Sequence, residues 1–262
     1  MSNHALNGKT ALVTGASSGL GVDFARQLAG MGAHLVLVAR REEQLNGVKA
    51  EIQAKHPVRV TVVAMDLSAA DAPQRLYDRL KADGVTVDVL VNNAGFGLYG
   101  PFVGIPWERE RNMLELDILT LVHMTKLFAA DMATRGSGWV CQVASIGAYQ
   151  PTPTYATYAA AKAFVLSFGE AINHELRAQG VKVSVVSPGV TATEFLAVSG
   201  QKPTLYQRMV MMQSPDVVRI ALQAMLAGKP SVVPGFLNAA SAWSNRLIPR
   251  RLSTIVAEKL MT

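Results

Sequence analysis

The stretch Thr10-Ala11-Leu12-Val13-Thr14-Gly15-Ala16-Ser17-Ser18-Gly19-Leu20-Gly21 decides how the chain begins to fold. Its apolar run, residues 10–14, reads as a buried strand, and the pattern then switches to a helix over residues 19–31. Glycines at the junction permit a tight turn, and the N-terminus of the helix behind them favours a pyrophosphate. The spacing Gly15-x-x-x-Gly19-x-Gly21 differs from the G-x-G-x-x-G fingerprint but occupies the same place between strand and helix. Ser17 and Ser18 add hydroxyl donors beside Leu20. A turn that holds no ligand is the alternative.

Working outward, strands over residues 33–39, 58–64, 87–91, 138–143, 181–186 and 231–234 alternate with helices over 41–55, 73–82, 107–134, 155–179 and 215–226. Near-continuous apolar strands separated by amphipathic helices predict a Rossmann-like, doubly wound parallel sheet covered on both faces. No repeat or low-complexity linker divides residues 1–262, which gives one α/β domain. Open parallel sheets bind ligands at the carboxyl ends of their strands. Gly15, Asp66, Asn92, Ser145 and Pro188 each follow a strand in this reading.

The composition narrows the class. Half of the 262 residues are hydrophobic, enough for one large core. The mean hydropathy of +0.21 is high, yet no run approaches the roughly 18 apolar residues that span a bilayer. The N-terminal residues lack a signal-peptide core, so the expected location is the cytoplasm. One cysteine, Cys141, excludes an internal disulfide and a multi-cysteine metal site; no metal is expected, and the thiol reads as structural. The net charge of +6 comes from scattered Lys and Arg without interleaved aromatics, so nucleic acid is not expected as a partner. An anionic cofactor accounts for the charge.

The chemistry lies further along. Tyr158 and Lys162 stand four residues apart, on one helix face, thirteen residues after Ser145. A free phenol titrates near pH 10, and a neighbouring cation is expected to lower that value toward the working range. Ser145 would hold a substrate oxygen while Tyr158 moves the proton. With a phosphate turn at the N-terminus, this reads as hydride transfer to or from a nicotinamide. An NAD site usually ends its second strand on an acid. Here Arg40 and Arg41 follow Ala39, which favours NADP(H) over NAD(H), since Arg grips a 2′-phosphate and a carboxylate repels it. The alternative is that the arginines decorate a helix start. Asp66, followed by Leu67, either accepts from the adenine amino group or caps the next turn.

On these residues the sequence resembles the short-chain dehydrogenase/reductase family. The marks are Thr14 to Gly21, Asn92-Asn93-Ala94-Gly95, Ser145, Tyr158-Ala159-Ala160-Ala161-Lys162 and Pro188-Gly189, covering the chain from Lys9 to about Val233. The resemblance implies that Tyr158 is the general acid/base, that Lys162 also bonds the nicotinamide ribose, and that Ser145 orients the substrate carbonyl. It implies that Asn92, Ala94 and Gly95 line the cofactor cleft and that Pro188, Gly189, Val190 and Thr193 meet the carboxamide end. A homodimer or homotetramer built on the long helices is implied as well. Tyr155 lacks a lysine four residues on and reads as a decoy.

One position departs from the family pattern. The family usually carries an Asn in the middle of the long helix, supporting a kink and a water near the lysine; here that position is Asp117. A retained acceptor would let Asp117 serve, and a required amide donor would weaken proton relay. Residues 195–213, with Phe195, Leu196, Tyr206, Met209, Met211 and Met212, read either as a surface excursion or as a lid over an apolar substrate. Phe96, Tyr99, Tyr149, Pro151 and the stretch 209–212 suggest a hydrophobic pocket. In the tail, residues 236–262, Arg246, Arg250 and Arg251 beside Trp243, Leu247 and Ile248 fit membrane-surface contact, while the break at Pro249 favours a packed subunit interface. The resulting expectation is an NADP(H)-dependent oxidoreductase interconverting a carbonyl and an alcohol on a hydrophobic small molecule. The competing class is a non-catalytic NADP-binding sensor or scaffold.

Overall fold

The apolar runs pair in a single direction. The computed structural model describes residues 5–202 and 204–261; residues 1–4, 203 and 262 lie outside the described residues, as do the side chains of Tyr206, Leu260 and Met261. Strands β1 (Thr10–Thr14), β2 (His34–Ala39), β3 (Val60–Ala64), β4 (Val89–Asn92), β5 (Gly138–Val143), β6 (Val181–Val186) and β7 (Ser231–Val232) form one sheet in the order β3-β2-β1-β4-β5-β6-β7. Every pairing is parallel, with Leu12 of β1 opposite Val36 on one side and Leu90 on the other. Because strand side chains alternate between faces, each strand feeds two cores. Ala11, Val13, Leu35, Leu37, Val89 and Val91 pack with Phe24, Leu28, Leu45 and Leu222. Leu12, Val36, Val38, Leu90, Val140 and Val183 pack on the opposite face with Leu76, Leu80, Phe128 and Met132.

The helices supply those partners. α1 (Gly19–Gly30), α2 (Glu42–Lys55) and, later in the chain, Ser214–Ala227 cover the first face; α3 (Ala72–Ala82) and the central helices cover the second. The chain changes face between β3 and β4, so the strand order turns outward in both directions from β1 and β4. The crevice at that switch point is where such sheets bind ligands.

The long helix expected over residues 107–134 is interrupted. It runs as α4 (Trp107–Leu114), a π-helical turn (Glu115–Thr120) and α5 (Leu121–Thr134). Widened turns of this kind redirect a side chain and often mark functional positions. Beyond β5, α6 (Ala156–Arg177) carries Tyr158 and Lys162, while residues 195–213 form two short helices, α7 (Phe195–Ser199) and α8 (Leu205–Val210). α9 (Ser214–Ala227) follows, and the tail forms α10 (Phe236–Ser244) and α11 (Arg250–Met261), divided near Pro249.

A buried polar knot joins β4, β5 and α5. Asn92 Nδ2 donates to Thr125 Oγ1 at 2.9 Å and to Gln142 Oε1 at 3.0 Å, and Gln142 Nε2 donates to Thr125 Oγ1 at 2.8 Å. Buried amides are costly unless bonded, so the three residues depend on one another. Asn92→Leu leaves Gln142 Oε1 and Thr125 short of a donor in the core. It should lower stability by about 1–3 kcal/mol in urea denaturation, while ligand binding at the strand ends is retained.

Candidate active site

At the end of β1 the Thr14 hydroxyl links the two strands that flank the switch point. It donates to Val91 O at 3.2 Å and accepts from the amides of Asn93 and Ala94, each at 2.9 Å. Asn93 Nδ2 returns a bond to Thr14 O at 2.9 Å. The turn that follows needs its glycines. Gly15 has φ +67°, and a Cβ on it would lie 2.8 Å from Asn93 Nδ2. Gly21 lies beneath the turn, where a Cβ would collide with the Gly15 carbonyl. It is therefore a packing residue and does not line the cleft, which corrects its assignment as a cofactor contact.

From this turn a cleft of about 430 Å³ runs along the strand ends to Tyr158. At one end stand Gly15, Ser17, Ser18, Gly19, Leu20, Arg40, Arg41, Asp66 and Leu67; in the middle Asn93, Ala94 and Gly95; at the other end Ser145, Tyr158, Lys162 and Pro188, Gly189, Val190 and Thr193. Ser18 precedes α1 without a side-chain cap, and the first turn of α1 holds no acid, so its amides face the cleft uncompensated. That end suits an anion and, with the basic pair beyond it, a phosphorylated dinucleotide. Arg41 holds Ser17 Oγ through Nε and Nη2 at 3.3 Å and meets Glu194 Oε2 at 3.2 Å. Both of those side chains are exposed, so that ion pair adds little stability. Asp66 Oδ1 accepts from Ser68 N at 3.0 Å and Ser68 Oγ at 2.7 Å, which makes it a turn former. These bonds act against burial and, with the charge of Arg40, hold its carboxyl below the usual value.

Asn92 is not in the cleft. It is buried in the polar knot under β4, and its neighbour Asn93 faces the opening, because alternate strand residues point to opposite sides. Tyr149, Tyr99, Pro151 and residues 209–212 also lie outside the cleft lining, against the sequence reading. Tyr99 packs behind Tyr155 at 5.4 Å between ring centroids. The apolar wall comes instead from Phe96, Tyr155, Phe195, Leu196 and Val198. Tyr155 is no idle decoy. Its ring lies 5.7 Å from that of Tyr158, which in turn lies 5.4 Å from Phe195. Its hydroxyl bonds Ser199 Oγ at 2.9 Å and Gln201 Oε1 at 3.0 Å, anchoring the segment over the cleft. An i,i+4 rule for chemistry could not find a residue whose task is packing.

The third side chain of interest is Asp117. The π turn carries it inward until it is fully buried, with Oδ1 accepting from Phe96 N at 3.2 Å and Oδ2 standing 2.9 Å from Lys162 Nζ. The latter contact is a buried ion pair. Lys162 Nζ also donates to Val143 O at 3.2 Å and lies 5.6 Å from the Tyr158 ring centroid. Burial raises the Asp117 carboxyl above its usual value, opposed by Lys162. The expectation that a cation lowers the Tyr158 phenol is corrected here. Its pKa is raised, first by enclosure of the hydroxyl and then by the negative Asp117, with a Ser145 hydrogen bond opposing. The charge of Lys162 is balanced at close range by Asp117, so Tyr158 meets a near-neutral pair.

Similarity to known proteins agrees with this layout. Residues 9–204 match the sequence profile of the short chain dehydrogenases. The very-long-chain 3-oxoacyl-CoA reductase of Aspergillus fumigatus is 32% identical over 256 residues, covering 95% of this chain and 71% of that protein. This chain spans 52–71% of the length of the fungal and mammalian reductases of that name which it matches. A short-chain dehydrogenase from Sphingobium yanoikuyae, solved in complex with NADPH, aligns with a TM-score of 0.81 at 28% identity over 91% of this chain and 94% of that one. A 7β-hydroxysteroid dehydrogenase structure aligns with a TM-score of 0.88 at 26% identity over 98% and 99%. The chain belongs to the short-chain dehydrogenase family.

The Asp117 charge predicts a spectroscopic result. In Asp117→Asn the residual negative charge is gone and Lys162 faces Tyr158 alone, so the Tyr158 phenol should ionise at lower pH. Ultraviolet phenolate titration, with Tyr158→Phe as the blank, reads it; an unmoved curve would mean that Asp117 does not act on Tyr158.

Proposed function

We propose that this chain is an NADP(H)-dependent oxidoreductase that reduces the carbonyl of a bulky, apolar ketone to a secondary alcohol, and in reverse oxidises the alcohol. The observation that carries the reading is one continuous cleft joining an uncapped helix N-terminus and two arginines to Ser145, Tyr158 and Lys162. The named relatives lend support: one is a 3-oxoacyl-CoA reductase, another a hydroxysteroid dehydrogenase, and the Sphingobium enzyme holds NADPH.

The residues fit the dinucleotide. The amides at the start of α1 would take the pyrophosphate, Arg40 and Arg41 the 2′-phosphate, and Lys162 a ribose hydroxyl. Bound nicotinamide supplies or accepts the hydride at the substrate carbon. The protein handles the oxygen. Ser145 donates a hydrogen bond to the carbonyl oxygen and fixes its distance from Tyr158. Tyr158 gives that oxygen its proton as negative charge develops. Burial and Asp117 keep the phenol protonated at neutral pH, so the proton is in place for reduction. Phe96, Phe195, Leu196 and Val198 exclude water and seat the apolar part of the ketone. We also propose assembly into a homodimer or homotetramer through the long helices, where Leu119 and the stacked Phe164–Phe168 pair leave apolar surface outward.

Screening NADPH oxidation against long-chain and polycyclic ketones tests the reading; no turnover across the panel overturns it. Tyr158→Phe should lower turnover by about two to four orders of magnitude, the usual worth of a placed acid, with NADPH binding intact. Near-wild-type reduction by this variant would assign the proton to another residue.

Cofactor choice has its own test. Arg40→Ala/Arg41→Ala should weaken NADPH about ten- to a hundredfold, the value of a lost charge-assisted contact, and leave NADH nearly unchanged. The measurement is a fluorescence titration with both nucleotides. An unaltered NADPH/NADH ratio would reduce the arginines to surface decoration.

A further inference from the structure

The two C-terminal helices are amphipathic in the reverse sense. On α10 the buried residues are Asn238 and Ala242, one turn apart, and on α11 the buried ones among the described side chains are Ser253 and Ala257. These inward residues are small or polar: Asn238 Nδ2 donates to Pro234 O at 3.1 Å, and Ser253 Oγ to Asn245 Oδ1 at 2.6 Å. The large apolar side chains point outward. Phe236, Trp243 and Leu247 are 86, 60 and 70% exposed, and Leu252, Ile255 and Val256 are exposed along one stripe of α11. A helix on a water-facing surface normally carries the opposite order, apolar side inward, and clustered exposed apolar side chains mark a contact surface. α11 packs against α8, where Leu205 and Met209 continue the exposed apolar face.

Charge selects the occupant. Residues 236–261 hold Arg246, Arg250, Arg251 and Lys259 against one acid, Glu258, and residues 195–213 add Lys202 and Arg208 with none. A second copy docked about a two-fold axis would set this patch against itself and bring cations onto cations. An anionic lipid surface reverses the sign. It accepts arginines at the headgroups, Trp243 and Phe236 at the interface and the aliphatic residues just beneath. No described helix is long and apolar enough to cross a membrane, so the contact lies in the interface plane.

We propose that α8, α10 and α11 form one docking face for an anionic lipid bilayer. The face adjoins the cleft: Gln207 of α8 lines it, and Asn238 of α10 backs Gly189, another lining residue. Docking therefore brings the opening beside the lipid. The lipid contact stands independently of the reaction proposed above, since its test uses no substrate.

The experiment is vesicle flotation of the purified full chain. Vesicles of phosphatidylcholine alone are compared with vesicles containing about 30% phosphatidylglycerol, at about 0.1 and 0.5 M salt. Binding is expected on the anionic vesicles at low salt, and roughly tenfold or more weaker on neutral vesicles or at high salt. Phe236→Ser/Trp243→Ser/Leu247→Ser should lose binding to a similar extent, with circular dichroism and melting temperature unchanged. Should that variant unfold, Arg250→Gln/Arg251→Gln, confined to exposed side chains, must still bind markedly less. Equal binding to both vesicle types, no binding, or variants that bind like the wild type would overturn the proposal. A dimer that dissociates on Trp243→Ser, seen by sedimentation without vesicle binding, would assign the face to a second copy.

Discussion

The contact between Lys162 Nζ and Asp117 Oδ2, 2.9 Å apart with almost no exposure of either side chain, ties four parts of the chain to one point. Lys162 belongs to α6 and Asp117 to the π turn between α4 and α5. The second Asp117 oxygen takes the Phe96 amide just after β4, and the ammonium reaches Val143 O at the end of β5. Taking either charge out of water is expensive, and the loss of one partner strands the other. Local geometry follows from this constraint. The π turn swings Asp117 inward, and Gly95 must lack a side chain because its Cβ would lie 2.7 Å from Asp117 Oδ1.

The same pair sets the electrostatics around Tyr158. A free ammonium beside a phenol would draw out its proton, but here the ammonium's field is cancelled at short range. Enclosure of the hydroxyl then prevails, and the phenol keeps its proton far above neutrality. At the other end of the cleft the polarity is opposite. The uncapped amides of α1 and the two arginines offer positive potential to an anion. The cleft is thus an anion site joined to a proton donor, and the aromatic series Tyr99, Tyr155, Tyr158, Phe195 packs around that donor.

Much of this was legible before folding. Strand and helix periodicity, the glycine turn and the i,i+4 pair are local patterns, and local patterns survive in a sequence. Ser145, Tyr158 and Lys162 could be named because each follows a strand or shares a helix turn. Of the apolar wall, Phe96, Phe195 and Leu196 could be named from sequence, whereas Tyr155 and Val198 were missed. Tyr149 and Tyr155 have similar chemistry and lie six residues apart, yet only Tyr155 lines the cleft. That choice is made by the turn before α6, where Thr154 adopts a positive φ and fixes the approach of Tyr155. Asn92 and Asn93 likewise differ by one residue and by a whole face of the sheet.

The sequence by itself determined the order of elements, the parallel sheet and the identity of the groups at its carboxyl edge, because spacing and period encode them. Tertiary structure alone decided how those groups act on one another. The raised Tyr158 pKa comes first from enclosure of its hydroxyl and then from Asp117, 41 residues away in the chain and brought inward by a widened helical turn. Electrostatic energy depends on distance and solvent exclusion, and neither quantity is a property of a sequence until the chain is packed.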